Sequence, residues 1–209
     1  AYFNRGFLKT EMKEFEASIS DFSKAIELDN TYYLAYYRRA LSLGSIKNYQ
    51  KAIKDLDVLI LNFPEEIDAY FQKARYQLYL GEYSESKNNY SKVIQLDPHS
   101  VNAYNSRAYA NEYLQDYKAA IEDYNKVLIF KPNYEDTYYR RGLSKYIIED
   151  HQGAINDLTK SIELYPNQGD AYYARAAAKL KLKQNKSACE DYNKSVQLEY
   201  NDDRHNSEG

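Results

Sequence analysis

Apolar residues recur along the chain at helical rather than strand spacing, in two bursts per segment separated by a short polar turn, and the second burst ends beside a proline. The prolines supply the frame: Pro64, Pro98, Pro132 and Pro166 stand 34 residues apart, which marks an array of repeats. With proline set at position 32, the chain begins at position 3 of its first repeat. Small residues then fill position 8 (Gly6, Ala40, Ala74, Ala108, Gly142, Ala176) and position 20 (Ser18, Ala52, Ser86, Ala120, Ala154, Ala188). Large ones fill position 24 (Phe22, Leu56, Tyr90, Tyr124, Leu158, Tyr192), and tyrosine fills position 4 six times, from Tyr2 to Tyr172. Positions 3, 4, 8 and 11 predict the packed face of one helix, and 17, 20, 21, 24, 27 and 28 that of a second. Turn words such as LGEY (80–83) and LQDY (114–117) separate the two helices, and proline closes the second. One hairpin cannot bury its own apolar face, so successive hairpins must stack. The expected repeats are 1–32, 33–66, 67–100, 101–134, 135–168 and 169–202, in a single array over 1–202, with 203–209 as a flexible polar tail.

Period, small residues at 8 and 20, aromatics at 4, 17 and 24, and proline at 32 resemble the tetratricopeptide repeat (TPR) family over the whole array. Departures are few. Position 4 is Tyr where the family usually has Trp, position 27 runs Ala25, Leu59, Val93, Val127, Ser161, Ser195, and position 17 becomes His151 and Asn185. Asn30 and Tyr200 stand where the first and last prolines would be. The resemblance implies an all-α, right-handed superhelical solenoid of six TPR hairpins. It also implies that the first helices line a concave groove that holds partner proteins through short peptide segments, without catalysis.

Charge and chemistry narrow the reading further. With 28 Lys and Arg against 31 Asp and Glu, the net charge of −3 argues against phosphate-backbone binding as the main task, so nucleic acid is disfavoured as a partner. No apolar run approaches a membrane span. The opening AYFNRG lacks an initiator Met, a basic region and an apolar core, and reads as a piece of a longer chain, so localisation stays unknown. Cys189 is the single cysteine, at a position that is Ile19, Ile53, Ile121 and Ile155 elsewhere, and is expected in the core. His99, His151 and His205 form no metal-binding spacing. No Gly-rich phosphate loop occurs, so neither a catalytic residue, a metal nor a cofactor is expected.

The words YYRRA at 36–40 and YYRRG at 138–142 start three periods apart and are copies of one pattern. Helix geometry splits each word: Tyr36 and Arg39, like Tyr138 and Arg141, face the packed hairpin, while Tyr37, Arg38, Tyr139 and Arg140 face the groove. Position 7 is basic throughout (Arg5, Arg39, Lys73, Arg107, Arg141, Arg175) and position 23 offers Asp21, Asp55, Asn89, Asp123, Asp157 and Asp191. The one Lys coincides with the one Asn, as a fork-shaped Arg–carboxylate pair would require, and predicts a structural ion-pair ladder. The candidate partner-binding groove comprises Phe3, Phe7, Tyr37, Arg38, Phe71, Arg75, Tyr79, Tyr109, Tyr113, Tyr139, Arg140, Tyr146 and Tyr173. Tyr and Arg are the types in which binding energy concentrates; packing against neighbouring repeats is the competing reading for each tyrosine. Asp68, Asp136 and Asp170, with Asn102, are expected to cap the first helices.

Two family specialisations are missing. The carboxylate clamp for chaperone tails needs Lys and Asn at positions 5 and 9, where this chain has Phe3 and Phe7, Tyr37 and Leu41, Phe71 and Arg75, then Asn105 and Tyr109. Position 6 carries no asparagine ladder. Tyr192, Val196 and Leu198 of the last repeat would face a further element and form a candidate self-association edge, so a homodimer through exposed solenoid ends is the alternative function. Single-stranded RNA stacked on groove tyrosines is a third reading, opposed by the acidic balance.

Overall fold

The computed structural model describes residues 1–134 and 136–206, with side chains through Leu198 in the last helix. Among the described residues there are twelve helices and no strands. They are α1 (Tyr2–Glu11), α2 (Phe15–Leu28), α3 (Tyr33–Ser45), α4 (Tyr49–Asn62), α5 (Ile67–Leu80) and α6 (Tyr83–Leu96), then α7 (Val101–Tyr113), α8 (Tyr117–Phe130), α9 (Thr137–Ile147), α10 (His151–Leu164), α11 (Gly169–Lys181) and α12 (Asn185–Asn206). The chain divides into two compact units, Ala1–Ala110 and Asn111–Gly209, with the boundary inside α7. Within the first unit each of α1 to α5 packs on the helix that follows it, and α1 also touches α3; in the second, each of α8 to α11 does the same and α9 touches α11.

The turns explain why the hairpins repeat. Position 15 is left-handed every time: Lys13, Lys47, Gly81, Gln115, Glu149 and Lys183 all have φ between 60° and 78°. The next residue's N–H then bonds back to the carbonyl of position 11, as in Glu14 to Lys9 (2.8 Å) and Asp150 to Lys145 (2.9 Å), which is the Schellman closure of a helix C-terminus. Second helices end because the residue before proline is pushed extended, as at Phe63 (φ −132°) and Tyr165 (φ −132°). Asp29 is extended without a following proline, and its carboxylate accepts from the Thr31 N–H at 2.9 Å and hydroxyl at 2.7 Å. At Tyr200 no such stop exists and α12 continues to Asn206, into the expected tail; residues 207–209 lie outside the described residues.

The core is built by the small-large pairing. Phe22, Leu56, Tyr90, Tyr124 and Leu158 at position 24 are fully buried. Position 8 makes room for them: a Cβ on Gly142 would sit 2.9 Å from Leu158 Cγ. Position 11 departs from its expected apolar character, since only Leu43 is apolar there. Lys9, Lys145 and Lys179 instead bring their ammonium groups to Asp21 (2.8 Å), Asp157 (2.8 Å) and Asp191 (2.7 Å).

Those aspartates belong to the position 7 ladder. Arg39 forks onto Asp55 at 2.8 and 2.7 Å, and Arg5, Arg141 and Arg175 do the same with Asp21, Asp157 and Asp191. A further guanidinium nitrogen reaches position 25 of the preceding repeat: Arg39 to Ser23 (2.9 Å), Arg141 to Asn125 (2.7 Å), Arg175 to Thr159 (3.1 Å). The guanidiniums of Arg5, Arg39, Arg141 and Arg175 also lie over their own position 4 tyrosines, at 5.3 to 5.6 Å. Where the sequence changes to Lys73 and Asn89, Lys73 pairs backward with Asp57 (2.6 Å) and Asn89 bonds Gln77 (2.7 Å). One half of each YYRR word is therefore structural. The hydrogen bond from Arg5 holds the Asp21 carboxyl at about 2, against an ordinary 3.8.

Candidate functional site

The other half of the words faces away from the ladder. In the first unit, Phe3 packs on Phe22 and Tyr32 (ring centres 5.6 and 4.8 Å) and Phe71 meets Tyr90 edge-on at 5.4 Å, so both are largely core anchors. Phe7 carries the Arg38 guanidinium 5.0 Å above its ring, and Arg75 lies 5.5 Å over Tyr76. The Nε atoms of Arg38 and Arg75 are buried without a hydrogen-bond partner, and no described carboxylate pairs with either guanidinium. Tyr109 is half-buried.

Two clefts open on α3. One, of about 330 Å³, is lined by Tyr33, Leu34, Tyr37, Leu59, Phe63, Glu66 and Asp68. Burial, and then the Asp68 carboxylate, push the Tyr37 hydroxyl above the usual tyrosine range. The second, of about 390 Å³, is lined by Leu41, Gly44, Ser45, Lys47, Tyr49, Arg75, Tyr76 and Tyr79. Its floor is a volume exchange. Position 10 is Ser42, Ala110, Ser144 or Ala178 in most other repeats but Tyr76 here, and a Cβ on Gly44 would meet the Tyr76 hydroxyl oxygen. Tyr49 stacks on Tyr76 at 5.5 Å, and Tyr79, 59% exposed, leans on Tyr49 at 5.2 Å.

In the second unit, Tyr139 and Tyr146 pack against the cluster of Ala154, Ile155, Leu158 and Ala178. Tyr146 lies 5.4 Å from His151. Tyr113 and Tyr173 are exposed, with Tyr173 6.3 Å from Tyr192. Burial, then Asp170 and Asp136, raise the Tyr139 hydroxyl as its counterpart Tyr37 is raised. Arg140 behaves differently from Arg38: its Nε donates to Asp136 (2.7 Å) and a terminal nitrogen to Glu112 (3.0 Å). Glu112 also accepts from the Ser144 hydroxyl at 3.1 Å, and burial raises its carboxyl above the usual glutamate range despite Arg140.

Two expectations need correction. Asp68 and Asp170 lie in first turns but make no capping bond, and Asp136 is committed to Arg140. Side-chain caps come instead from Asp116 to the Ala119 N–H (3.2 Å) and Asp150 to the Gly153 N–H (2.9 Å), in the turns between paired helices. Cys189 is exposed rather than core, because position 21 packs on a subsequent first helix and there is none beyond α12 among the described residues. Tyr192 and Val196 at the same edge are exposed, and Leu198 is half-buried. The cleft residues Tyr49, Tyr76, Gly44 and Lys47 do not stand out by helix face; the signal for them is the double outlier, a large residue at 10 beside a glycine at 12. Among the described residues no group of three or more His, Cys, Asp or Glu could hold a metal, and no helix is long and apolar enough to cross a membrane.

Stacked helical hairpins of this period, with a small-large core code, define an α-α repeat solenoid. Tetratricopeptide repeat models match residues 1–32, 34–66, 71–135, 135–168 and 169–202, and the chain belongs to the tetratricopeptide repeat family. No curated protein sequence matches it. Similar solved structures include a MamA crystal structure (20% identity, 79% of this chain and 96% of that one, TM-score 0.76). MamA 41-end from Desulfovibrio magneticus RS-1 is similar too (19%, 81% and 96%, TM-score 0.77). So is YrrB, described as a TPR protein with an unusual peptide-binding site (18%, 85% and 91%, TM-score 0.77). At these identities the likeness shows the fold.

Proposed function

We propose that this protein is a non-catalytic protein-interaction scaffold, and that the first-helix face of the Ala1–Ala110 unit holds a peptide segment of a partner. The observation that carries the reading is the pair of clefts on α3, rimmed by exposed Leu34, Phe63 and Tyr79 and by Arg75, with Arg38 on the same helix. No described carboxylate engages either arginine. Aromatic and guanidinium groups left uncommitted at a cleft are the usual carriers of binding energy. The similar fold of a protein described as having a peptide-binding site supports the same class. Tyr113, Tyr139, Arg140, Tyr146 and Tyr173 occupy first-helix positions of the second unit and are the candidate binding residues of that unit.

The test is selection of a random-peptide phage library on the intact protein. Enriched peptides should bind in solution and lose about tenfold or more in affinity with Tyr37→Ala plus Tyr79→Ala, a loss of roughly 1.4 kcal/mol or more, while the far-UV circular dichroism of the variant at the binding temperature stays that of wild type. Peptides that bind both proteins equally would move the site off this face. A second reading, self-association, rests on Tyr192, half-exposed where five equivalent residues are fully buried. It requires a mass that rises with concentration and falls back with Val196→Glu.

A further inference from the structure

The two clefts of the first unit differ in charge, and the difference specifies a ligand. One is apolar with an acidic rim: Leu34, Tyr37 and Phe63 beside Glu66 and Asp68. The other is aromatic and basic: Tyr49, Tyr76 and Tyr79 with Leu41, beside Arg75 and Lys47, and no acidic residue lines it. Arg75 is held by stacking on Tyr76, its Nε buried and unpartnered. The guanidiniums of Arg5, Arg39, Arg141 and Arg175 are each satisfied by their own aspartate. Arg75, at a cleft wall, has no carboxylate partner and keeps a buried Nε unsatisfied, an exception that an outside acceptor would resolve.

Resting on the peptide-binding reading above, we infer that this face recognises a dipolar peptide. An acidic side chain enters the Arg75–Lys47 cleft, and an apolar residue flanked by a basic one enters the Leu34–Tyr37 cleft. The spacing is set by α3, which contributes Leu34 and Tyr37 to one cleft and Leu41, Gly44 and Ser45 to the other. The centres of those two sets are separated by about seven to eight residues of helix, roughly 11 Å at about 1.5 Å per residue. An extended peptide advances about 3.3 Å per residue, so the acidic and apolar anchors stand about three to four residues apart. The walls of the acidic-residue cleft are tyrosine faces, which accept the methylene stem while the guanidinium takes the carboxylate.

The experiment uses synthetic peptides on a Gly-Ser-Ala background, acetylated and amidated so that no terminal charge competes. Each carries one Glu and one Leu-Lys pair at a separation varied stepwise, and binding to the intact protein is followed by fluorescence anisotropy. Affinity should peak at a separation of about three to four residues. Replacing the peptide's Glu by Gln should weaken binding about tenfold to the wild-type protein and have little effect on Arg75→Gln; Asp68→Asn should do the same for the peptide's Lys. A flat dependence on separation, or a Glu-to-Gln effect that persists in Arg75→Gln, overturns the inference. So does a peptide that binds only when phosphoserine replaces Glu. If phage-selected peptides bind and depend on Tyr37 and Tyr79 yet lack an acidic residue, only this inference fails. If no peptide depends on those tyrosines, the underlying reading fails with it.

Discussion

YYRRA on α3 and YYRRG on α9 spell nearly the same word, share the same ladder and raise the same tyrosine hydroxyl, yet their groove arginines end differently. Arg140 is held by Asp136 at position 2 of its own repeat and by Glu112 at position 12 of the preceding one. At those two positions Arg38 has Leu34 and Thr10, and the Thr10 hydroxyl is turned to the Gly6 carbonyl at 3.1 Å. Two residues outside the word therefore decide whether its groove arginine is paired with carboxylates of the protein. A second contrast is steric: position 10 holds Ser144 on α9 but Tyr76 on α5, which builds the aromatic floor of the basic cleft.

The floor is the most vulnerable part of that difference. Gly44→Ala drives a methyl into the ring and hydroxyl of Tyr76, a side chain only 2% exposed. Overpacking of this kind costs about 1–3 kcal/mol, so the unfolding free energy read from urea denaturation should fall by an amount in the upper part of that range. In a Tyr76→Ser background the clash disappears and the same Gly44→Ala change should become neutral or mildly stabilising, since Ala favours helix over Gly by about 1 kcal/mol. Equal penalties in both backgrounds would mean that the two residues are not exchanging volume.

Exchanging the charges should move binding without moving stability as much. Thr10→Glu with Leu34→Asp gives Arg38 the partners that Arg140 has and takes an apolar wall from the Leu34–Tyr37 cleft, and the two together should weaken the dipolar peptide about tenfold. The reciprocal pair, Glu112→Thr with Asp136→Leu, takes these two carboxylates away from Arg140 and should raise affinity for acidic peptides in the second unit. Anisotropy titrations of wild type and both double variants at two salt concentrations decide this; unchanged affinity in both pairs would make the arginine contrast irrelevant to binding.

Much of this architecture is legible in the chain. Period, proline and small-large pairing give the hairpins, and the coincidence of Lys73 with Asn89 foretells the ladder that Arg39 and Asp55 form. Three kinds of feature are not legible. Side-chain capping depends on backbone geometry, and the turns place Asp116 and Asp150 correctly while Asp68 is carried past the cap into the helix. Exposure of Cys189 depends on whether another first helix packs beyond α12, which position 21 alone does not contain. The fate of Arg38 and Arg140 depends on residues four and 28 positions away, the second in another repeat, which a reading confined to one helix face does not bring together.

Acid titration separates the shared ladder from the local network by sign. Asp21 sits at about 2 when folded, below its ordinary 3.8, so its contribution is complete above that ordinary value and is lost as pH falls toward about 2. Glu112 runs the other way. Its folded value is raised by burial, so the folded state is favoured while the group is protonated, and stability is lost as pH rises through and just above the glutamate range. Asp21→Asn should flatten the acid limb of a midpoint-versus-pH curve, and Glu112→Gln should flatten the limb above it. Matching slopes in the two variants would contradict the opposite environments assigned to these carboxyls.

The smallest expected effect lies in the left-handed turns common to both units. Gly81 occupies position 15 in the first unit at φ 78°, where Glu149 occupies it in the second at φ 67°. A side chain in this conformation costs about 1–2 kcal/mol, and glycine returns roughly 0.5–1 kcal/mol of that through its freer unfolded chain. Gly81→Ala should therefore destabilise by about 1 kcal/mol or less, and Glu149→Gly should stabilise by a similar or smaller amount, both read from urea midpoints. Glu149 is exposed, so packing of its side chain adds little to the change. A loss of stability with Glu149→Gly would show that the turn is held by its side chain rather than by the Asp150 N–H bonded to the Lys145 carbonyl.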